Sequence, residues 1–338
     1  MSDKLNINTK INYNNKTILI TGGAGFIGSN LALYIQDTYP LANIIVFDCF
    51  TNGCTFSNGN LQSFGHYRNL IDFKGRIICG DLNIDKDLEL LNDYKFDFIF
   101  HHAAISDTQV FDQEAIMRTN LNSFHKLLSI AKKNNSTTIY ASSASTYGSL
   151  PSPQTVGFEN PTNPYGFSKY MMDNAAKSFS LTNPDIVLVG LRFFNVYGPR
   201  EFFKLKTASM VIQLGHQILD GKAPRLFSNS DKIMRDFIYI DDVIQANIKA
   251  CSTNKNGVFN VGTGISRSFQ EISDILQKEL KTNFGTEYFE NPHIHYQSDT
   301  RANIDESKIH FDFKPTISLE KGISLYIPEI KLLHKHKL

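Results

Sequence analysis

Short apolar runs alternate with longer amphipathic stretches through the first 192 residues, the pattern of a parallel sheet whose strands are joined by crossover helices. The runs predict strands at Thr17–Thr21, Asn43–Asp48, Arg76–Cys79, Phe96–His101, Thr137–Ala141 and Ile186–Arg192. Apolar positions at helical spacing predict helices near Ile27–Asp37, Lys86–Asn92, Gln113–Lys133 and Tyr165–Phe179. Beyond Arg192 the alternation lapses. Residues 193–206 read as loop, Thr207–Asp220 as a helix stopped by Gly221, Arg235–Ile240 and Val258–Val261 as short strands, and Phe269–Leu280 as a helix. The expected fold class is α/β: a doubly wound parallel sheet of residues 1–192 plus roughly 236–261, and a smaller C-terminal α/β lobe from roughly 193–235 and 262–338. The long connection Cys49–Arg68, rich in Gly, Asn and Ser, has the length of a loop that covers a ligand.

At 338 residues the chain can bury an ample core, and its 41% apolar and 20% charged content is ordinary for a globular protein. Net charge is +1, with 34 basic against 33 acidic residues, which argues against a nucleic-acid partner. The basic stretch Lys331–Lys337 reads as a frayed terminus. The cysteines at 49, 54, 79 and 251 show neither CxxC nor His-paired zinc spacing and read as free thiols. His101 and His102, adjacent on a strand, point to opposite faces and cannot share a metal ion, so no metal is expected. The polar start Met1–Asn15 has no signal-peptide core, and runs such as Ile44–Phe47 are too short to span a bilayer, so a cytoplasmic protein with no membrane partner is expected.

Chemistry begins at Gly22-Gly23-Ala24-Gly25-Phe26-Ile27-Gly28, which follows an apolar strand and opens a helix. Glycines at 22, 25 and 28 serve a tight turn, close backbone approach to a pyrophosphate and close helix–strand packing, the Rossmann-type arrangement for a dinucleotide. Asp48 ends the second strand, 20 residues after Gly28, where an acid bonds the adenosine ribose hydroxyls. It favours NAD, and no Lys or Arg stands between it and Arg68 to receive a 2′-phosphate. Further on, Tyr165 and Lys169 stand four apart, on one face of a helix, where an ammonium lowers the cost of ionising a phenol. Ser143 precedes that tyrosine by 22 residues.

Together with His101-His102-Ala103-Ala104, Asn120, Ser142-Ser143, Asn195-Val196-Tyr197-Gly198-Pro199-Arg200 and Arg235 to Val243, these residues resemble the extended short-chain dehydrogenase/reductases, the NAD-dependent epimerase/dehydratase family, over essentially the whole chain. Finer features are similar to members that invert C6 of an ADP-linked heptose for lipopolysaccharide core synthesis: Glu201 and Lys204 after Tyr197-Gly198-Pro199-Arg200, then Ala208-Ser209-Met210, then Arg225-Leu226-Phe227. The resemblance implies Tyr165 and Lys204 as acid/bases, Ser143 on the reacting sugar oxygen, and Lys169 on the nicotinamide ribose, tuning Tyr165. It implies dinucleotide contacts at Phe26, Ile27, Asp48, Cys49, His102, Ala103, Ala104, Ile105, Ser106, Asn120, Val196 and Lys204. It implies an ADP-heptose held by Asn195, Lys206, Gln213, Phe227, Ser228, Asn229, Ser230, Arg235 and Tyr296. It also implies NADP and a homo-oligomer; Cys49 and Thr55 stand where some members place an amide and a lysine near the 2′-phosphate, so NAD stays open.

A lysine acting at 204 needs its pKa lowered by burial or a cationic neighbour, with Arg200 and Lys206 as candidates in sequence. A 4,6-dehydratase would follow its active-site Ser or Thr with acids, whereas Ser143 is followed by Ala144, Ser145 and Thr146. A 4-epimerase has no need of Lys204. A non-catalytic nucleotide-binding protein on this fold commonly loses the tyrosine or lysine that this chain keeps.

Overall fold

The computed structural model describes residues 7–253, 255–291 and 299–336. The runs expected as strands form β1 (Thr17–Thr21), β2 (Asn43–Asp48), β3 (Arg76–Cys79), β4 (Phe98–His101), β5 (Thr137–Ser143) and β6 (Leu188–Phe193). After them come β7 (Asn195–Tyr197), β8 (Arg225–Phe227), β9 (Met234–Tyr239), β10 (Gly257–Val261), β11 (Ser266–Ser268) and β12 (Glu287–Phe289). Seven strands make one parallel sheet in the order β10-β6-β5-β4-β1-β2-β3. The chain winds outward from β1 to β3, then returns to β4 and builds the other half. That reversal leaves a crevice beyond the carboxyl ends of β1 and β4, where Thr21 is paired with both Phe47 and His101. Central strands are buried along their length, which is why they read as continuous apolar runs. The fold is Rossmann-type α/β, as expected.

The helices are α1 (Phe26–Thr38), α2 (Asp85–Glu89), α3 (Gln113–Ile116), α4 (Ser123–Asn134), α5 (Pro164–Thr182), α6 (Met210–Leu219), α7 (Ile240–Ala250), α8 (Phe269–Leu280), α9 (Asp305–Phe311) and α10 (Leu319–Lys335). The helix expected over 113–133 is interrupted by a wide π-type turn at Met117–Asn122. Asn120 sits inside it and bonds the backbone of Ile105 in both directions and the Ser168 hydroxyl, so a side-chain requirement widens the turn. α5 starts cleanly: the Asn163 side chain caps the Gly166 amide at 2.8 Å and Pro164 occupies the first turn.

Three expectations are corrected. Residues 193–206 are not loop throughout, because β7 pairs with β9, a partner too distant in sequence for local periodicity to reveal. Residues 202–207 form tight 3-10 turns meeting at Leu205. The basic stretch from Lys331 is no frayed tail: it finishes α10, whose Ile330 and Leu333 are buried against the α6–α8 side. Of residues 236–261, β10 joins the main sheet, whereas β9 lies in a three-stranded sheet with β7 and β11. One apolar core runs continuously from β1 to α10. No described helix is long and apolar enough to cross a membrane.

Candidate active site

A cavity of about 460 Å³ fills the crevice, walled by the glycine turn, the ends of β4 and β5, the start of α5 and residues 193–210. A side-chain carbon at Gly22 would stand 2.5 Å from the Ala103 nitrogen, and one at Gly28 only 2.3 Å from the Gly22 carbonyl oxygen, so both positions are closed to any side chain. At Gly25 only the Gly22 oxygen comes near, at 3.2 Å. Gly25 is also the N-cap of α1 and offers no capping side chain, so the helix presents its first-turn N–H groups to the cavity. That cradle fits the pyrophosphate of a dinucleotide.

Asp48 accepts from the Ala24 and Phe50 amides at 2.9 and 2.8 Å, and burial raises its pKa. The loop after β2 folds back so that Gln62, Ser63, Phe64 and Gly65 join the wall beside Cys49 and Asp81. Gly65 packs so closely on Asp48 that any side chain there would collide with the carboxylate. The loop is anchored at Asp107, which accepts from Asn60 at 2.6 Å and Asn58 at 3.2 Å, and by His66 stacked on Phe203 at 3.6 Å. Among the described residues lining the cavity, Lys169 and Lys204 are the cations.

Tyr165 and Lys169 both face the cavity from the first turns of α5. The Lys169 ammonium donates to the Ala141 carbonyl at 2.8 Å, fixing α5 to β5, and lies 6.0 Å from the Tyr165 ring centre. Burial pulls Lys169 down to about 8, against the attraction of Asp173. Burial pushes the Tyr165 phenol up, and a hydrogen bond to Ser143 pulls it back. Desolvation dominates at Tyr165, and Ser143 supplies the opposing pull. His101 is a buried core residue bonded to Thr21 at 2.7 Å. His102 borders the cavity, held neutral near 3 by burial and by the Lys169 charge.

Lys204 reaches the same cavity from the irregular segment after β7, its ammonium 5.9 Å from the Phe26 ring centre. Burial lowers its pKa, while Glu201 and Asp107 pull it back up. The expected cationic neighbours play no part: Arg200 is bonded to Asn30 at 2.9 Å and Lys206 is exposed. A raised tyrosine and a lowered lysine on one cavity are titratable groups whose environments push their proton affinities in opposite directions, the arrangement of an acid and a base.

The sequence pattern of the NAD-dependent epimerase/dehydratase family matches residues 18–262. The chain belongs to that family. A family member from Brachyspira hyodysenteriae, named ADP-L-glycero-D-manno-heptose-6-epimerase, is 35% identical over 322 residues, covering 91% of this chain and 96% of its own. The crystal structure of the Helicobacter pylori protein of the same name superposes with a TM-score of 0.85 at 46% identity and 98% coverage of both chains. A Bacillus cereus UDP-glucuronic acid 4-epimerase, solved with NAD, is 26% identical with a TM-score of 0.79, covering 94% of this chain and 99% of its own.

Of the expected dinucleotide contacts, Gly22, Gly25, Phe26, Ile27, Gly28, Asp48, Cys49, His102, Ala103, Ala104, Ile105, Ser106 and Val196 line the cavity here. Asn120 does not; it acts on Ile105 from behind. Of the expected sugar-side residues, Ser143 and Asn195 reach the wall. Gln213 spends its amide on the Lys206 and Ala208 carbonyls. Phe227, Ser228, Asn229 and Ser230, on β8 and its turn, do not reach the wall; Ser228 is bonded to Phe289 and Glu290 and Ser230 to Gln270. Arg235 packs over the ring of Phe269, a wall residue, at 5.8 Å. Asp236 is no partner for it, being engaged by Thr263, Gly264 and Ala302. Tyr296 lies outside the described residues. Sequence reasoning missed Asp81, Phe237, Phe269 and residues 62–65; loop length was the only signal for the last.

Proposed function

We propose that this protein inverts C6 of the heptose in ADP-D-glycero-D-manno-heptose, giving ADP-L-glycero-D-manno-heptose for lipopolysaccharide core synthesis. The observation that carries the reading is Lys204, a half-buried lysine lining the same cavity as Tyr165; it is joined by the likeness to proteins that bear this enzyme's name at 35% and 46% identity. Residues 1–192 with β10 hold the dinucleotide in this reading, and the segments from 193 onward before and after β10 hold the sugar.

A bound nicotinamide supplies hydride acceptance from the carbinol carbon and hydride return to it. The chain's own residues handle protons and position. Inversion moves the C6 oxygen from one side of its carbon to the other, so one fixed proton carrier serves only one of the two positions. Tyr165 serves one and Lys204 the other. Burial favours the protonated phenol and makes the amine easier to deprotonate, the directions that an acid and a base require. Ser143 orients the reacting oxygen, and Asn195, Lys206, Gln213, Arg235, Tyr296 and residues 227–230 hold the ADP-heptose. The glycine cradle and α1 hold the pyrophosphate, and Lys169 the nicotinamide ribose.

The resemblance supports NADP. The wall around Asp48 and Asp81 supports NAD, since a 2′-phosphate would meet two acids and no lining cation there. Titration of the purified protein with each dinucleotide separates them. The same resemblance supports a cytoplasmic homo-oligomer. The decisive test of function is proton NMR of ADP-D-glycero-D-manno-heptose incubated with the enzyme. Appearance of the L epimer is expected; interconversion of UDP-hexoses with none of the heptose would contradict the reading.

A further inference from the structure

We propose that Glu201 is a positioning residue for Lys204, its buried carboxylate tying together both ends of the irregular segment that carries the ammonium. The inference rests on the acid/base reading of Lys204. Glu201 is wholly buried. One carboxylate oxygen accepts from the Ser209 amide at 2.7 Å; the other accepts from the Ser209 hydroxyl at 2.6 Å and the Gly198 amide at 3.3 Å. Its backbone carbonyl accepts the Lys204 amide at 3.0 Å. A single residue thus holds the chain before, at and after Lys204.

The segment needs such a tie. Gly198, Arg200 and Leu205 all have positive φ, at 142°, 71° and 51°, and strained backbone persists only where its surroundings over-determine it. Arg200 is pinned separately, its amide donating to Glu329 of α10 at 2.8 Å and its guanidinium to Asn30 of α1. Neither of those bonds reaches past Lys204 to the start of α6, whereas the Glu201 carboxylate does.

Burial raises the Glu201 pKa against the pull of Ser209, Lys204 and Gly198, and the ionised carboxylate also acts through its charge. Lys204 faces Glu201 from its own segment and Asp107 from the loop after β4, while Glu201 in turn faces Tyr326 of α10. A neutral amide has one acceptor oxygen and would turn its NH2 toward one of the backbone N–H groups, so only a carboxylate meets all three donors and also raises the proton affinity of the neighbouring ammonium. Position and protonation are therefore set by one side chain.

Glu201→Gln keeps the size but removes the charge and one acceptor, and Glu201→Asp keeps the charge but shortens the reach, so the two together separate charge from position. The readout is the NMR titration of ¹³C-labelled lysine, the Lys204 signal being assigned by its loss in Lys204→Met. The expected result is a Lys204 midpoint lower by about one pH unit, with kcat down at least about tenfold and dinucleotide affinity kept. Glu201→Asp should restore the midpoint but not kcat, because the carboxylate retreats from Gly198 and Ser209. An unchanged midpoint and an unchanged kcat in Glu201→Gln would overturn the proposal. If Glu201→Gln does not fold, Ser209→Ala keeps the charge and removes one tie: a severalfold fall in kcat with no change in midpoint is expected, and full activity overturns the proposal. Failure of the underlying reading is seen separately, as near-normal turnover in Lys204→Met.

Discussion

Tyr165 and Lys204 line one cavity from opposite kinds of scaffold. Tyr165 stands in the first turn of a 19-residue helix, capped by Asn163 and fastened to the sheet through Lys169. Lys204 stands on a short kinked segment with non-glycine residues at positive φ, held by a buried carboxylate and by α10. Regular structure places the first group by the hydrogen-bond ladder of the helix itself. The second is placed by individual side-chain ties, each of which a single substitution can cut. One side of the site should therefore tolerate change in its supports and the other should not.

The largest effect breaks the regular side at its chemistry. Tyr165→Phe should lower kcat by about a thousandfold without changing dinucleotide affinity, read by steady-state kinetics and titration. Ser143→Ala should cost roughly ten- to a hundredfold. It should also move the tyrosine-dependent limb of the pH profile upward, because the Ser143 bond holds the phenol down.

Lys169 gives a smaller, thermodynamic effect. Burial lowers it from 10.5 to about 8. Between those values the unfolded chain holds a proton that the folded chain has released, so stability of the ligand-free protein rises with pH across that window. The rise is bounded by about 3 kcal/mol, at about 1.4 kcal/mol per pH unit, and Lys169→Met should flatten it in urea unfolding at pH 7 and 10.

The smallest effects sharpen the contrast by sign. Leu205, exposed and at φ 51°, ψ −123°, occupies backbone space suited to glycine. Leu205→Gly should stabilise the fold by up to about 1 kcal/mol yet lower kcat severalfold as the segment loosens. At the exposed position Lys177 within α5 the same replacement should destabilise by about 1 kcal/mol and leave kcat alone, both read by thermal melting and kinetics.

The contrast also explains what could be read from the chain itself. β1, β2 and β3 begin and end where the apolar runs do; β1 and β2 are buried on both faces, and such a strand writes its own length in the sequence, whereas the edge strand β3 is mostly exposed. The glycine turn and the Tyr165–Lys169 spacing are local patterns with local causes. The surroundings of Lys204 are not: β7 finds its partner in β9, Arg200 and Leu205 adopt a conformation their residue types do not announce, and Glu201 works through Gly198 and Ser209. Asn120 was legible as important but not as a support for Ile105, since that bond exists only once the π-type turn forms. The wall contributed by residues 62–65 depends on the loop folding back onto Asp48, which its length suggests and its composition does not specify.

The claim that two opposed proton carriers do the work is tested most directly by Lys204→Met, assayed with ADP-D-glycero-D-manno-heptose after confirming that the variant binds dinucleotide as the parent does. The account predicts a fall in kcat of at least about a hundredfold with binding intact. Turnover within a fewfold of the parent would contradict it and leave Tyr165 as the only acid/base.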